Sequence, residues 1–161
     1  MKRITRLFAV VATMLFLSVT AFAQSRYFQF GNLNHDSVTV SSAWTRLRTT
    51  PGTHSFTKNS DTTKIEVYVN SRFRIGTMSP SGNGVRFRVR VDNNIPTFEN
   101  FGSILTSNTS EFLSLFAVFE NLPAGNHTVS IWGQTIPAGT ASSVSVDPGG
   151  WGGKIIVKET L

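Results

Sequence analysis

The stretch NGVRFRVRVDNN, residues 83–94, alternates with almost no interruption: Val85, Phe87, Val89 and Val91 fall on one side, and Arg86, Arg88 and Arg90 on the other. A period of two is the pattern of a strand with one buried and one solvated face. The same period recurs along the chain, in YFQF (27–30), SVTVS (37–41), HSFT (54–57) and TKIEVYVNSRFRI (63–75). It continues in FLSLFAVFENL (112–122), HTVSIW (127–132), SSVSV (142–146) and KIIVKE (154–159). Turn formers separate these runs: TTPGT, SPSGNG, DNNIP, LPAGN, PAGTASS and DPGGWGG. One segment, 99–119, also fits a helix through Phe112, Leu115, Phe116 and Phe119, but its neighbours on both sides are β, and strand is the favoured reading. With no internal repeat and no linker, about nine short strands predict a single all-β, antiparallel sandwich.

The start of the chain predicts export. Lys2, Arg3 and Arg6 precede the apolar run LFAVVATMLFLSV (7–19), and AFA (21–23) supplies the small residues a signal peptidase reads. Residues 1–23 are therefore expected to be a cleaved signal peptide, with the protein periplasmic or extracellular. An uncleaved anchor is the alternative, but the apolar run is shorter than the roughly 20 residues a membrane span needs. The sequence has no Cys, which excludes a lipoprotein anchor at the cleavage point and disulfide staples. Residues 24–161 carry 12 basic against 9 acidic residues, a net charge of +3. That surplus is too small to argue for nucleic acid by itself.

The C-terminal half carries a recognisable arrangement. LPAGNHTVSIWGQT is followed by a hydrophilic turn and then VSVDPGGWGGKIIVKE. It resembles the jelly-roll head modules of the complement and tumour-necrosis-factor group, as they occur in exported bacterial and phage-fibre proteins. Leu122, Gly125, His127, Thr128 and Val129 hold the places of a Leu-x-x-Gly-x-His-Thr-Val corner; Trp151 sits in a Gly/Trp loop and Glu159 ends the last strand. The likeness spans about residues 43–161 and includes the paired earlier runs. It implies a jelly-roll sandwich and a homotrimer, with 24–42 as an added N-terminal hairpin. No collagen-like stalk accompanies it.

The arginines are the nearest thing to a site. Arg72 and Arg74 alternate with Phe73 and Ile75, and a Gly/Pro/Ser turn leads into 83–91. If 63–75 and 83–91 pair as a hairpin, Arg72, Arg74, Arg86, Arg88 and Arg90 form one solvent-facing basic patch, with Glu66 at its far end. Such a patch would attract an anionic polysaccharide or another polyanion in a salt-sensitive way. The plainer reading is that charged outer faces keep β-proteins from pairing edge to edge. Trp44, Trp132 and Trp151 are candidate sugar-stacking platforms. For Trp151 the competing and favoured reading is a lid over the sandwich edge.

Catalytic and cofactor signatures do not appear in the sequence: it contains no HExxH, CxxC or GxSxG, and His35, His54 and His127 stand apart. His127 reads as a structural imidazole in a turn-to-strand corner. Glu66 and Glu111 are the one carboxylate pair worth testing as a glycosidase couple. Asp92, Asn93, Asn94 and Asp147 offer oxygen ligands for calcium, but Asp and Asn serve turns for local reasons. The expectation is a non-enzymatic exported binding or assembly module without cofactor or metal. A carbohydrate-binding module is the first alternative and a glycan hydrolase the second.

Overall fold

A computed structural model describes residues 25–31, 33, 37–47, 54–79, 84–137 and 139–160. The expected signal peptide and His35 lie outside the described residues. Thirteen strand segments follow in chain order. They are β1 (Arg26–Phe30), β2 (Val38–Val40), β3 (Thr45–Arg46), β4 (Ser55–Lys58), β5 (Lys64–Ile75), β6 (Met78–Ser79) and β7 (Gly84–Val91), then β8 (Phe98–Glu99), β9 (Gly102–Ile104), β10 (Ser110–Phe119), β11 (Gly125–Ile136), β12 (Thr140–Val146) and β13 (Lys154–Thr160).

Two antiparallel sheets face each other. The first runs β1-β13-β5-β10-β8, and β12 extends it by pairing with the far end of β5 and with β2 and β6. The second runs β3-β11-β7-β9, with β4 also on β11. The chain changes sheet between β4 and β5, between β5 and β7, and again between β10 and β11 and between β11 and β12, which makes the sandwich a jelly roll. No described residue is helical. The segment 99–119 forms parts of β8, β9 and β10, as the favoured reading expected. Its helical spacing has a simple cause. Leu115 and Phe119 point into the core while Phe112 and Phe116 point out, so both faces of β10 are apolar and the period of two is blurred.

The alternation sets which residues fill the core. Ile65, Val67, Val69, Phe73 and Ile75 of β5 are buried, as are Val85, Phe87, Val89 and Val91 of β7. Burying each such side chain contributes roughly 1.5–3 kcal/mol before conformational entropy is charged against it. Leu122, just after β10, is buried as well.

Two expectations need correction. β5 and β7 do not pair: β5 lies between β10 and β13, whereas β7 lies between β11 and β9. They meet across the core instead, with the Phe73 and Phe87 ring centroids 4.6 Å apart. Side by side in one sheet, their apolar faces would both need an outside cover. In opposite sheets each covers the other. Nor do β1 and β2 form an added hairpin, since β1 pairs with β13 and β2 with β12, both within the first sheet.

Candidate functional site

The fold divides the five arginines into two groups. Arg72 and Arg74 lie on the outer face of the first sheet, and Arg86, Arg88 and Arg90 on the outer face of the second. The single patch is therefore not formed, because the two strands belong to different layers. Each group instead meets candidate tryptophans.

On the second sheet the register sets a grid. Trp132 of β11 sits beside Arg46 of β3 on one side and Arg88 of β7 on the other. One step along, Gln134 opposes Arg86, and Ser130 opposes Arg90. Arg86 donates from Nε and Nη2 to Gln134 Oε1, at 2.9 and 2.6 Å. Arg88 grips Glu99 with two bonds, Nη2 to Oε1 at 2.5 Å and Nε to Oε2 at 3.3 Å. Both guanidiniums lie against aromatic rings. Arg88 is 4.4 Å from the Trp44 centroid and 5.5 Å from that of Phe101, and Arg86 is 5.2 and 5.6 Å from the same two. Trp44 and Phe101 are themselves near-parallel, 6.0 Å apart. Trp132 donates from Nε1 to Ser130 Oγ at 2.9 Å, which fixes its ring plane.

Not all of this group is solvent-facing. Arg88 and Arg90 retain only 8% and 9% of their exposure, while Arg86 is half-buried and Arg46 exposed. Burial, and secondarily the charge of Arg88, push the Arg90 guanidinium below its ordinary pKa, with Glu99 opposing. Glu99 thus holds Arg88 directly and acts on Arg90 through its charge. Arg86 and Arg88 both lie against the Trp44 and Phe101 rings.

On the first sheet, Arg72 opposes Phe112, and its guanidinium lies 5.4 Å from the Trp151 ring. Trp151 is not a lid: it stays 66% exposed. The loop holds it outward. Asp147, fully buried, accepts from Gly153 N through Oδ2 at 3.1 Å, and its backbone N donates to Arg72 O at 2.6 Å. Gly149, Gly150 and Gly152 have φ of 87°, 68° and 91°, a region open to glycine at low cost. Arg74 is exposed between Ser110 and Ser145.

Further along the same face runs an aromatic row. Tyr68 lies 4.8 Å from Phe116, and Phe116 6.0 Å from Phe98. Tyr27, Phe98 and Phe112 are 65%, 60% and 71% exposed. Glu66 sits among them, 3.7 Å from Lys64 and 3.5 Å from Lys158, and accepts the Tyr68 hydroxyl at 3.0 Å. Burial, that bond and the Glu66 charge raise the Tyr68 pKa.

The remaining candidates have structural duties. His127 is buried, with Nδ1 2.5 Å from Asp92 Oδ2 and Nε2 2.9 Å from Pro123 O, as a structural imidazole should be. Asp92 Oδ1 accepts from Thr128 N at 2.7 Å, so both its oxygens serve the turn at Asp92–Asn93. No group of three metal-ligating side chains gathers among the described residues. Glu111 opposes Phe73, seven residues along β5 from Glu66. At ~3.3 Å per residue that is roughly 23 Å. A glycosidase pair sits at most about 9.5 Å apart.

The sequence reading gave no site role to Arg46, Glu99, Phe101, Phe98, Tyr68 or Phe116. Arg46 carried a usable signal, because Trp44 and Arg46 alternate just as Arg86 and Arg88 do. Glu99 and Phe101 carried none, since they lie in short segments with no period of their own.

No protein-family model and no curated protein matches the chain. Among solved structures, the tripod from the baseplate of bacteriophage Tuc2009 is similar at 17% identity and TM-score 0.47, over 84% of this chain and 62% of that one. The infectious bursal disease virus Gx strain structure is similar at 14% identity and TM-score 0.46, over 84% and 33% of the two chains. A family two carbohydrate esterase from Cellvibrio japonicus aligns at 15% identity and TM-score 0.23, over 86% and 36%. The chain spans less than two thirds of the length of each.

Proposed function

We propose that this protein is an exported, non-enzymatic module that works by assembly and binding. Copies join as a homotrimer through the outer face of the first sheet, and the arginine–tryptophan face of the second sheet is turned towards ligand. The observation that carries the reading is the aromatic surface of Tyr27, Tyr68, Phe98 and Phe112, all exposed, with half-buried Phe116 between Tyr68 and Phe98. The outer face of a sandwich sheet has no layer of its own to cover it, and its side chains are ordinarily polar. The connected rings Tyr68, Phe116 and Phe98, with Tyr27 and Phe112 exposed on the same face, support an interaction site there, and covering such surface gains about 25 cal/mol per Å². Glu66 lies between Lys64 and Lys158 on this face, which Arg72 and Arg74 share. The three-fold state comes from the resemblance to complement and tumour-necrosis-factor head modules.

Light scattering on the purified protein tests this, with an expected molar mass of three chains. A Tyr68→Lys/Phe116→Lys variant should be monomeric and keep its β circular dichroism. A wild-type monomer at high micromolar concentration would overturn the assembly. The carbohydrate-binding reading, independent of assembly, is favoured by one specific observation: Trp44 and Trp132 share a face with Arg86 and Arg88. A monomer that retains glycan would support it.

A further inference from the structure

We infer that the chain cuts itself at the Asp147–Pro148 bond, with the Asp147 carboxyl group as nucleophile. Asp147 opens the loop between β12 and β13 and is fully buried. Buried polar atoms ordinarily find hydrogen-bond partners. Here only one carboxyl oxygen does: Oδ2 accepts from Gly153 N at 3.1 Å, whereas Oδ1 has no hydrogen-bond partner among the described residues. An oxygen buried in that state carries an unrelieved desolvation cost and keeps its lone pairs available for reaction. The group is also held where it is. Asp147 N donates to Arg72 O at 2.6 Å, and the carboxyl carbon packs so close to Gly153 that a Cβ there would lie 3.0 Å from it.

Three features prepare the bond that follows. The Asp147 backbone has φ of 49°, a left-handed conformation that costs energy in a residue with a side chain. Its carbonyl oxygen accepts from Gly150 N at 3.0 Å, which places a donor where negative charge develops when that carbonyl is attacked. The next residue is Pro148, whose nitrogen forms a tertiary amide and is a better leaving group than an ordinary peptide nitrogen. In the reaction, Oδ1 attacks the carbonyl carbon of Asp147 itself and closes a five-membered ring. The C–N bond to Pro148 breaks, its nitrogen takes up the carboxyl proton, and a cyclic anhydride remains on Asp147. One water opens the anhydride to two carboxyl groups, one of them a new C-terminus. Nothing is oxidised or reduced. Holding the attacking group beside its target is what accelerates such a step. Both pieces stay in the sheet, since β12 pairs with β2, β5 and β6, and β13 with β1 and β5. The chain acts once, on itself, so the reaction sits beside the assembly and binding reading without depending on it.

Mass spectrometry under denaturing conditions tests this on the purified protein after incubation at mildly acidic pH. Two fragments should appear, one ending at Asp147 and one beginning at Pro148, together heavier than the uncut chain by one water. With hydroxylamine present to trap the anhydride, a hydroxamate should form on Asp147. The folded protein should be cut at least about tenfold faster than the same chain unfolded in urea at the same pH. Pro148→Ala, at a half-buried loop position, should keep its melting temperature and be cut at least about tenfold more slowly than the wild type. Asp147→Asn should form no hydroxamate. A folded chain that stays whole would overturn the inference. So would equal rates in the folded and unfolded chain, which is the ordinary acid lability of an Asp–Pro pair. Cutting of Pro148→Ala at the wild-type rate, or cutting that leaves no hydroxamate, would overturn it too.

Discussion

Arg88 and Glu99 are the residues on which the second face is built. Their side chains are only 10% and 12% exposed, and the pair is bidentate. Removing one charge from such a pair strands the other among Trp44, Phe101 and Arg90. Glu99→Gln should therefore lower unfolding free energy by roughly 3 kcal/mol, read from the urea midpoint. A loss below about 0.5 kcal/mol would mean the pair behaves as an ordinary solvated one. Glu159 supplies a second residue-scale test. Burial pushes its carboxyl pKa up, but bonds from Thr63, Asn59 and Ser60 and the charge of Arg26 outweigh that and leave it below the ordinary 4.5. The unfolded chain thus takes up the proton first. The stabilisation is complete above about pH 4.5 and is lost as pH falls through the lower folded value. His54, whose pKa burial lowers from 6.5, adds a loss in the same direction that begins below that pH. Glu159→Gln should flatten the acid limb of a stability–pH curve and leave the His54 portion intact.

At the scale of strands, each run's alternation was enough to say which side chains go inward, and the core of β5 and β7 follows it residue by residue. It was not enough to say which strand lies beside which. A period of two describes one strand's faces and is silent about its neighbour. Val85, Phe87, Val89 and Val91 read the same whether β5 lies alongside or opposite, so the hairpin inferred for Arg72–Arg90 failed where the buried set succeeded. The candidate site suffered with it: Trp44 and Trp132 were legible as aromatics and Arg86, Arg88 and Arg90 as a charged row, but their joining depends on β3 and β7 flanking β11. The β7–β9 pairing has its own test. A Cβ on Gly84 would come 2.6 Å from Leu105 Cδ2 and 2.9 Å from Ile104 O, and the carbonyl cannot move without breaking the ladder. Gly84→Ala should cost roughly 1–3 kcal/mol, measured by denaturant unfolding. A neutral result would mean β9 is loosely held.

For the whole molecule, the account assigns different work to the two outer faces. In the proposed reading, Tyr27, Tyr68, Phe98, Phe112 and Phe116 on the first sheet would meet other copies, and the face of Trp44, Phe101 and Trp132 on the second would meet ligand. The two surfaces belong to opposite layers of the sandwich, so assembly leaves the ligand face open. The opposed apolar cores of the two sheets supply the rigidity that keeps each face in place. Hydroxyl-radical footprinting, with and without a soluble oligosaccharide, reads both faces in one experiment, because aromatic side chains report their own solvent access. The account predicts that Tyr68, Phe98, Phe112 and Phe116 are protected in the ligand-free protein and unchanged by glycan. Phe101, 46% exposed, should react in the ligand-free protein, half-buried Trp44 and Trp132 less so, and all three should become more protected when a soluble oligosaccharide is added. Full reactivity of Tyr68 and Phe112 in the wild type, or Phe101, Trp44 and Trp132 indifferent to saturating oligosaccharide, would contradict it.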